Sequence, residues 1–248
     1  MKKLGAQLYT VRTMFETAEG IEKAMQGIKA IGYDSVQFYG NAELVEKLAP
    51  YAQAAGLELA GALVDMRVCT GEGEKLFEVC RRFGMTDIGI SSSPGEIDET
   101  AEYIERVNAF AKIAKNAGFT FSYHNHAHEF IKNAQGKTPM SMFLQDFDAG
   151  IDFMPDTYWI QEGGYDVRHF LEQAEGRVKI LHLKDMKHTS QGHRFAEVGN
   201  GNIYFEGIIQ TAMAGGVEHF VVEQDSCDGD PLDSLRVSYA NAKALIGG

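Results

Sequence analysis

Four short apolar runs in this chain end in an imidazole or a carboxylate. They are FTFSYH at His124, IDFMPD at Asp156, VKILH at His182 and FVVE at Glu223. Two histidines and two carboxylates are donors for a divalent ion of borderline or hard character, such as Mn²⁺, Zn²⁺, Co²⁺ or Mg²⁺. No cysteine is placed to join them, which argues against an iron–sulfur site. Each residue also has a plainer reading. His124 suits a hydrogen-bonded loop histidine, Asp156 a helix cap, His182 a satisfied core residue and Glu223 a salt bridge. The metal reading is preferred because all four stand at matching ends of consecutive runs. An unpaired carboxylate at a buried strand end is also costly.

Further candidates flank these four. His126 lies two residues after His124 and shares its face if the strand continues, so it is expected to bind substrate. Glu129 follows in the same segment. Lys184 lies two residues after His182, where it could polarise a substrate oxygen or simply pair with Asp185. Trp159, the only tryptophan, stands three residues after Asp156 and suits stacking on a sugar face or packing at a rim. The first run supplies Gln7 and Tyr9, the second Gln37 and Tyr39, and the third Asp65 and Arg67. The longest non-helical stretch, His188–Gly201, contains Arg194 and three glycines and is expected to form a lid. Its Gly199-Asn200-Gly201 turn is only a weak match to a phosphate cradle.

The elements that position these residues are marked by a recurring glycine. Gly32, Gly56, Gly84, Gly118, Gly150, Gly176 and Gly216 each follow a helical pattern and precede a short apolar run. Glycine just past a helix takes the left-handed conformation cheaply and ends the helix. The runs are rich in β-branched and aromatic residues, as strands are. In one intervening segment Ile104, Val107, Ala111 and Ala114 share a helical face. Seven such units after an opening strand at 4–9 make eight strands, joined by the crossovers that parallel pairing requires. This pattern predicts a single (β/α)8 TIM-barrel domain over 1–248 with a last helix over 231–245. A doubly wound open sheet is the alternative. In a barrel the chemistry belongs at the C-terminal ends of the strands, where the candidates lie.

The 248 residues can bury a core without disulfides or a structural metal. A net charge of −12 opposes a phosphate backbone and disfavours a nucleic-acid partner. Three cysteines without CxxC spacing suggest neither a disulfide framework nor a zinc ribbon. No secretory leader or membrane span is legible. The expectation is a cytoplasmic protein with no membrane partner.

At these residues the chain resembles the sugar phosphate isomerase/epimerase superfamily, the xylose isomerase-like TIM barrels. That group includes inosose dehydratases, 3-dehydroshikimate dehydratases and endonuclease IV. The resemblance spans the chain and rests on GAQLYTVR, YHNHAHEF, the Asp156-x-x-Trp159 pair, LHLKD, FAEVGNG and VVEQD. It implies one divalent metal held by Glu, Asp, His and Glu. Asp156, His182 and Glu223 match the last three. His124 stands where many members have the first Glu, with Glu129 as another candidate for that place. Trp159 stands where ketose 3-epimerases commonly carry a His.

The resemblance implies an isomerase or epimerase acting on a small sugar or keto-sugar through an enediolate. Asp156, His182, Glu223 and His124 would hold the metal. Glu223, His124 and Lys184 would be catalytic, and His126, Glu129, Trp159, Gln7, Tyr9 and Arg194 would bind substrate. Two alternatives stay open. One is a lyase dehydrating a keto-inositol or 3-keto-sugar by the same enolate chemistry, and the other is a sugar-binding barrel whose catalysis has decayed. No arginine or lysine cluster appears beyond Arg12, Arg67 and Arg194, so an unphosphorylated substrate is favoured. Family members are often dimers or tetramers, which leaves a homo-oligomer open.

Overall fold

The computed structural model describes residues 2–94 and 97–247. Eight parallel strands form the main sheet: β1 (Lys3–Gln7), β2 (Ser35–Gly40), β3 (Glu58–Val64), β4 (Asp87–Ile90), β5 (Thr120–His124), β6 (Ile151–Met154), β7 (Ile180–Leu183) and β10 (His219–Val222). Their order is β6-β5-β4-β3-β2-β1-β10-β7. Bridges Phe153 to Val178 and Asp156 to His182 join the two ends. The amide of His182 donates to the Pro155 carbonyl at 2.9 Å across that seam. The sheet is therefore a nearly closed barrel, and the open doubly wound alternative is excluded.

Helices cross over between the strands: α1 (Ala18–Ile31), α2 (Ala42–Ala54), α3 (Met66–Arg82), α4 (Thr100–Asn116), α5 (Pro139–Asp146), α6 (Thr157–Glu162), α7 (Val167–Gln173), α8 (Phe205–Ala214) and α9 (Pro231–Gly247). Ile104, Val107, Ala111 and Ala114 are buried on α4, as the periodicity requires. Gly32, Gly56, Gly84, Gly118, Gly176 and Gly216 have positive φ. Gly150 does not. The helix before it has already ended at Asp146, with Phe147 extended as its C-cap, so no left-handed stop is needed at Gly150.

Between β7 and α8 the chain adds an antiparallel hairpin, β8 (Asp185–Thr189) and β9 (Gly192–Ala196). Residues 188–189 and 192–196 of the stretch expected to form a lid are thus paired strand.

Strand periodicity places the chemistry. Leu63, Met154, Ile180 and Val221 form a cluster apart from the larger core between barrel and helices. They fill the lumen. Gly89 faces them, and a Cβ there would stand 2.3 Å from Leu63 Cδ2. Side chains alternate along a strand, so residues two beyond the lumen layer also point inward. Those positions are Asp156 after Met154, His182 after Ile180 and Glu223 after Val221. By the same count His124 follows Ser122, whose hydroxyl would lie 3.2 Å from that same Cβ.

Candidate metal and substrate site

His124, Asp156, His182 and Glu223 converge at the C-terminal mouth of the barrel. One donor atom from each lies within 4.8 Å of the others, and all four residues are buried. The helix-cap reading of Asp156 also holds. Its Oδ1 accepts from the amides of Tyr158 at 2.9 Å and Trp159 at 3.1 Å. Its Oδ2 has no hydrogen bond and lies 3.7 Å from Lys184 Nζ and 4.0 Å from His124 Nε2. One oxygen fixes the side chain and the other faces the site.

His182 is held by Gln37, which the sequence marks at the end of the second run without a role. Gln37 Oε1 accepts from His182 Nε2 at 2.7 Å and from Gln7 Nε2 at 2.8 Å. With Nε2 as donor, the neutral ring keeps a lone pair on Nδ1. That atom lies 2.8 Å from Glu223 Oε2. Two acceptors this close need a proton or a cation beside them, and a metal ligand needs such an orienting partner on its other nitrogen. Asn125 orients the neighbouring strand, because its Oδ1 accepts from the Asp156 amide at 3.0 Å.

Lys184 completes the charge pattern. Its Nζ lies 2.5 Å from Asp225, 3.7 Å from Asp156 and 3.8 Å from Glu223. It therefore does not pair with Asp185. Its ammonium also faces the rings of Trp159 at 4.9 Å and Phe195 at 5.4 Å, contacts that favour a cation. Burial opposes the Lys184 charge, but Glu223, Asp156 and Asp225 outweigh it and hold its pKa above the ordinary range. Burial pushes Glu223 up, yet Lys184 and His182 prevail and hold it low. Burial pushes Asp156 well above the usual carboxylate range, against the pull of Lys184. Burial, then His182, keeps the His124 pKa well below 6.5, so its imidazole is neutral. Burial disfavours a charge on Asp156, and a cation beside its free Oδ2 would offset that cost.

The residues present fit such an ion. The donors are two imidazoles and two carboxylates, His182 has a fixed tautomer, and Asp156 Oδ2 is an unpartnered buried oxygen. The unpartnered polar atoms extend beyond the four ligands. Among the described residues, His124 Nδ1, His126 Nδ1, Trp159 Nε1 and Gln224 Oε1 are also buried without a hydrogen bond. Each such group costs about 1–3 kcal/mol, and folded proteins pair most of them. His124 and His126 line the barrel mouth, and their free nitrogens mark a polar environment there.

A cleft of about 730 Å³ opens beside the cluster, lined in part by Gln7, Tyr9, His126 and Lys184. Three of the expected substrate-binding residues do not line it. Trp159 borders a separate pocket beside Glu162, and its ring faces the Lys184 ammonium. Glu129 is fully buried and accepts from Tyr123 Oη at 2.7 Å and from the His126 amide at 3.0 Å. It shapes the loop after β5 and offers no atom to the metal cluster. Arg194 is exposed on β9, and Phe195 points inward to pack on Tyr158 at 4.6 Å. Strand alternation decides between these neighbours. The weak phosphate-cradle reading also fails. Asp185 accepts from the amides of Gly199 at 2.9 Å, Gly201 at 2.8 Å and Met186 at 2.7 Å. The chain's own carboxylate takes the place an anion would need. Burial pushes the Cys69 and Cys80 thiols up to about 12, so neither offers a thiolate.

The family described as xylose isomerase-like TIM barrel matches residues 25–236. The chain belongs to this family. No curated protein sequence matches it. Solved structures share the fold. A sugar phosphate isomerase/epimerase from Parabacteroides distasonis superposes with a TM-score of 0.83 at 20% identity, covering 99% of this chain and 94% of that one. The IolI protein with a bound zinc atom gives 0.73 at 14% identity, with 99% and 98% covered. The probable 3-DHS dehydratase of petrobactin synthesis from Bacillus anthracis gives 0.73 at 13% identity, with 98% of each chain covered. At these identities the likeness establishes the fold. No helix among the described residues is long and apolar enough to cross a membrane.

Proposed function

We propose that this protein is a divalent-metal-dependent isomerase or epimerase of a small sugar or keto-sugar, working through an enediolate. The observation that carries this reading is the buried His124–Asp156–His182–Glu223 cluster surrounded by unpartnered polar atoms at the mouth of a cleft. These four residues would hold the ion. When bound, it would polarise the substrate carbonyl and stabilise the charge of the enediolate.

The chain's own groups handle the proton. His124 and Glu223 come from β5 and β10 and stand at the two ends of the arc that also holds Asp156 and His182. They flank the reacting carbon from two sides. A neutral imidazole has one lone pair, which His124 would give to the ion, so the second carboxylate oxygen of Glu223 accepts the proton next to the carbonyl. Returning a proton to that carbon from the other side epimerises it, and returning it to the neighbouring carbon isomerises the sugar. Lys184 donates to a substrate oxygen and keeps Glu223 ionised. Trp159 backs the Lys184 ammonium, and His126, Gln7 and Tyr9 border the sugar.

A lyase is the second reading. His124 in place of a carboxylate makes the two flanking groups unlike, and the Lys184 ammonium 3.8 Å from Glu223 can protonate a leaving hydroxyl. Keto-sugars incubated with Mn²⁺-loaded protein in D2O separate the readings. Deuterium entering the carbon beside the carbonyl without dehydration supports the first. Water loss with new ultraviolet absorbance supports the second. Sugar binding without exchange, elimination or metal dependence would leave the decayed binding barrel.

A further inference from the structure

The cleft is larger than one reacting sugar requires. Its 730 Å³ is within the range that encloses drug-sized ligands, and a single keto-hexose fills a minor part of it. The lining has two ends. One is His124, Lys184 and Glu223, inside the ring of strand ends. The other runs sideways over the start of α2.

Gly40, with φ +97°, turns the chain out of β2, and Asn41 caps α2 by accepting from the Leu44 amide at 2.9 Å. Asn41, Leu44 and Lys47 all line the cleft. Their spacing of three places them on one helix face. At 1.5 Å per residue they extend the cleft by about 9 Å beyond the barrel mouth.

The chemistry of this arm is that of a second sugar subsite. Leu44, Val68 and the Tyr39 ring supply apolar surface, while Asn41, Glu43 and Asp65 supply polar edges. Tyr39 stands edge-to-face on Tyr9 at 5.0 Å, and the Arg12 guanidinium covers Tyr9 at 3.9 Å. The Tyr39 ring is thereby held in place. An aromatic ring beside apolar groups receives the C–H face of a pyranose, and the surrounding amide and carboxylates take its hydroxyls. The neighbouring cations already have partners. Lys47 donates to the Phe15 carbonyl at 3.0 Å, Arg67 pairs with Asp65 at 3.0 Å, and Arg12 donates to the Tyr9 carbonyl at 2.8 Å. With Glu43 and Asp65 also facing this space, a phosphate would meet negative charge.

We infer that the site takes a substrate longer than one ring and without phosphate: a keto-disaccharide or ketose glycoside. Its ketose lies at His124 and Glu223, and its second ring lies on Tyr39 in the α2 arm. This rests on the keto-sugar reading above.

Isothermal titration of Mn²⁺-loaded protein with fructose, fructose 6-phosphate, lactulose and turanose tests it. At least one keto-disaccharide binds about tenfold or more tighter than fructose, a difference of about 1.4 kcal/mol. Fructose 6-phosphate binds no tighter than fructose. In Leu44→Trp, whose indole fills the arm, and in Glu43→Ala, an exposed position, the ratio of fructose to disaccharide Kd falls toward one. Equal constants in the wild type, tighter binding of the phosphate, or a ratio untouched in both variants overturns the inference. Proton exchange in D2O separates it from the reading beneath. Exchange on fructose with no disaccharide advantage overturns the second subsite alone. Neither binding nor exchange with any of the four sugars overturns both.

Discussion

Replacing Gln37 with leucine removes the acceptor that fixes the His182 tautomer while keeping a side chain of similar size. In the wild type Gln37 Oε1 receives two donors, His182 Nε2 at 2.7 Å and Gln7 Nε2 at 2.8 Å. Loss of the partner behind a metal-bound imidazole weakens metal binding by about 10–100-fold, or about 1.4–2.7 kcal/mol. The same substitution strands both donors in a buried site, at about 1–3 kcal/mol of stability each. For a chain of this size each kcal/mol lowers Tm by about 2–4 °C. Competition with a chromophoric chelator measures the Mn²⁺ or Zn²⁺ dissociation constant. Nitrogen-15 shifts of His182 read its tautomer. The wild type is expected to carry the proton on Nε2, and Gln37→Leu to show a mixture with weaker metal binding. Gln37→Glu restores an acceptor and should keep the wild-type tautomer. Unchanged affinity in Gln37→Leu, with the proton still on Nε2, would refute the assignment of Gln37 as the positioning residue.

Four further outcomes are expected. Metal analysis of purified protein should find about one divalent ion per chain, lost in both His182→Ala and Glu223→Ala; no metal after Mn²⁺ addition would sink the enediolate mechanism. Burial, with help from Lys3, lowers the His219 pKa to about 4, below its unfolded value of about 6.5. The unfolded chain therefore binds more protons in this window, and stability falls as pH drops from about 6.5 toward 4. In urea titrations between about pH 6.5 and 5, His219→Gln should lose about 1.5 kcal/mol less than wild type; equal losses would remove His219 from the account. The contribution of Asp87, pushed up to about 6 by burial, has the opposite sign and cancels in that comparison. Gly89→Ala places a methyl 2.3 Å from Leu63 Cδ2 and should cost about 1–3 kcal/mol, read as a lower urea midpoint with unchanged slope. Asp185→Ala removes the acceptor of the Met186, Gly199 and Gly201 amides, so limited proteolysis should cut near Gly199 faster than in wild type.

Much of this protein was legible in one dimension. The helix–glycine–strand rhythm specifies the barrel because a left-handed residue, a crossover and a short apolar run are local requirements. Gly150 shows the margin of that reading, since its helix stops early without needing a glycine there. Inward placement of Asp156, His182 and Glu223 also follows from strand alternation, which a sequence carries directly. Partnerships across the barrel do not. Gln37 lies far from His182 in sequence, and only closure of the β2-β1-β10-β7 arc brings their side chains to 2.7 Å. Lys184 and Asp185 are adjacent and of opposite charge, yet alternation sends one to three carboxylates in the mouth and the other to the amides of the Gly199–Gly201 turn. Glu129 has the charge of the family's missing ligand, but the turn after β5 directs it to Tyr123 and the His126 amide. Residue type and spacing determined which groups face the mouth. Only the tertiary structure decided which atoms meet there, because those contacts join strands that the sequence keeps far apart.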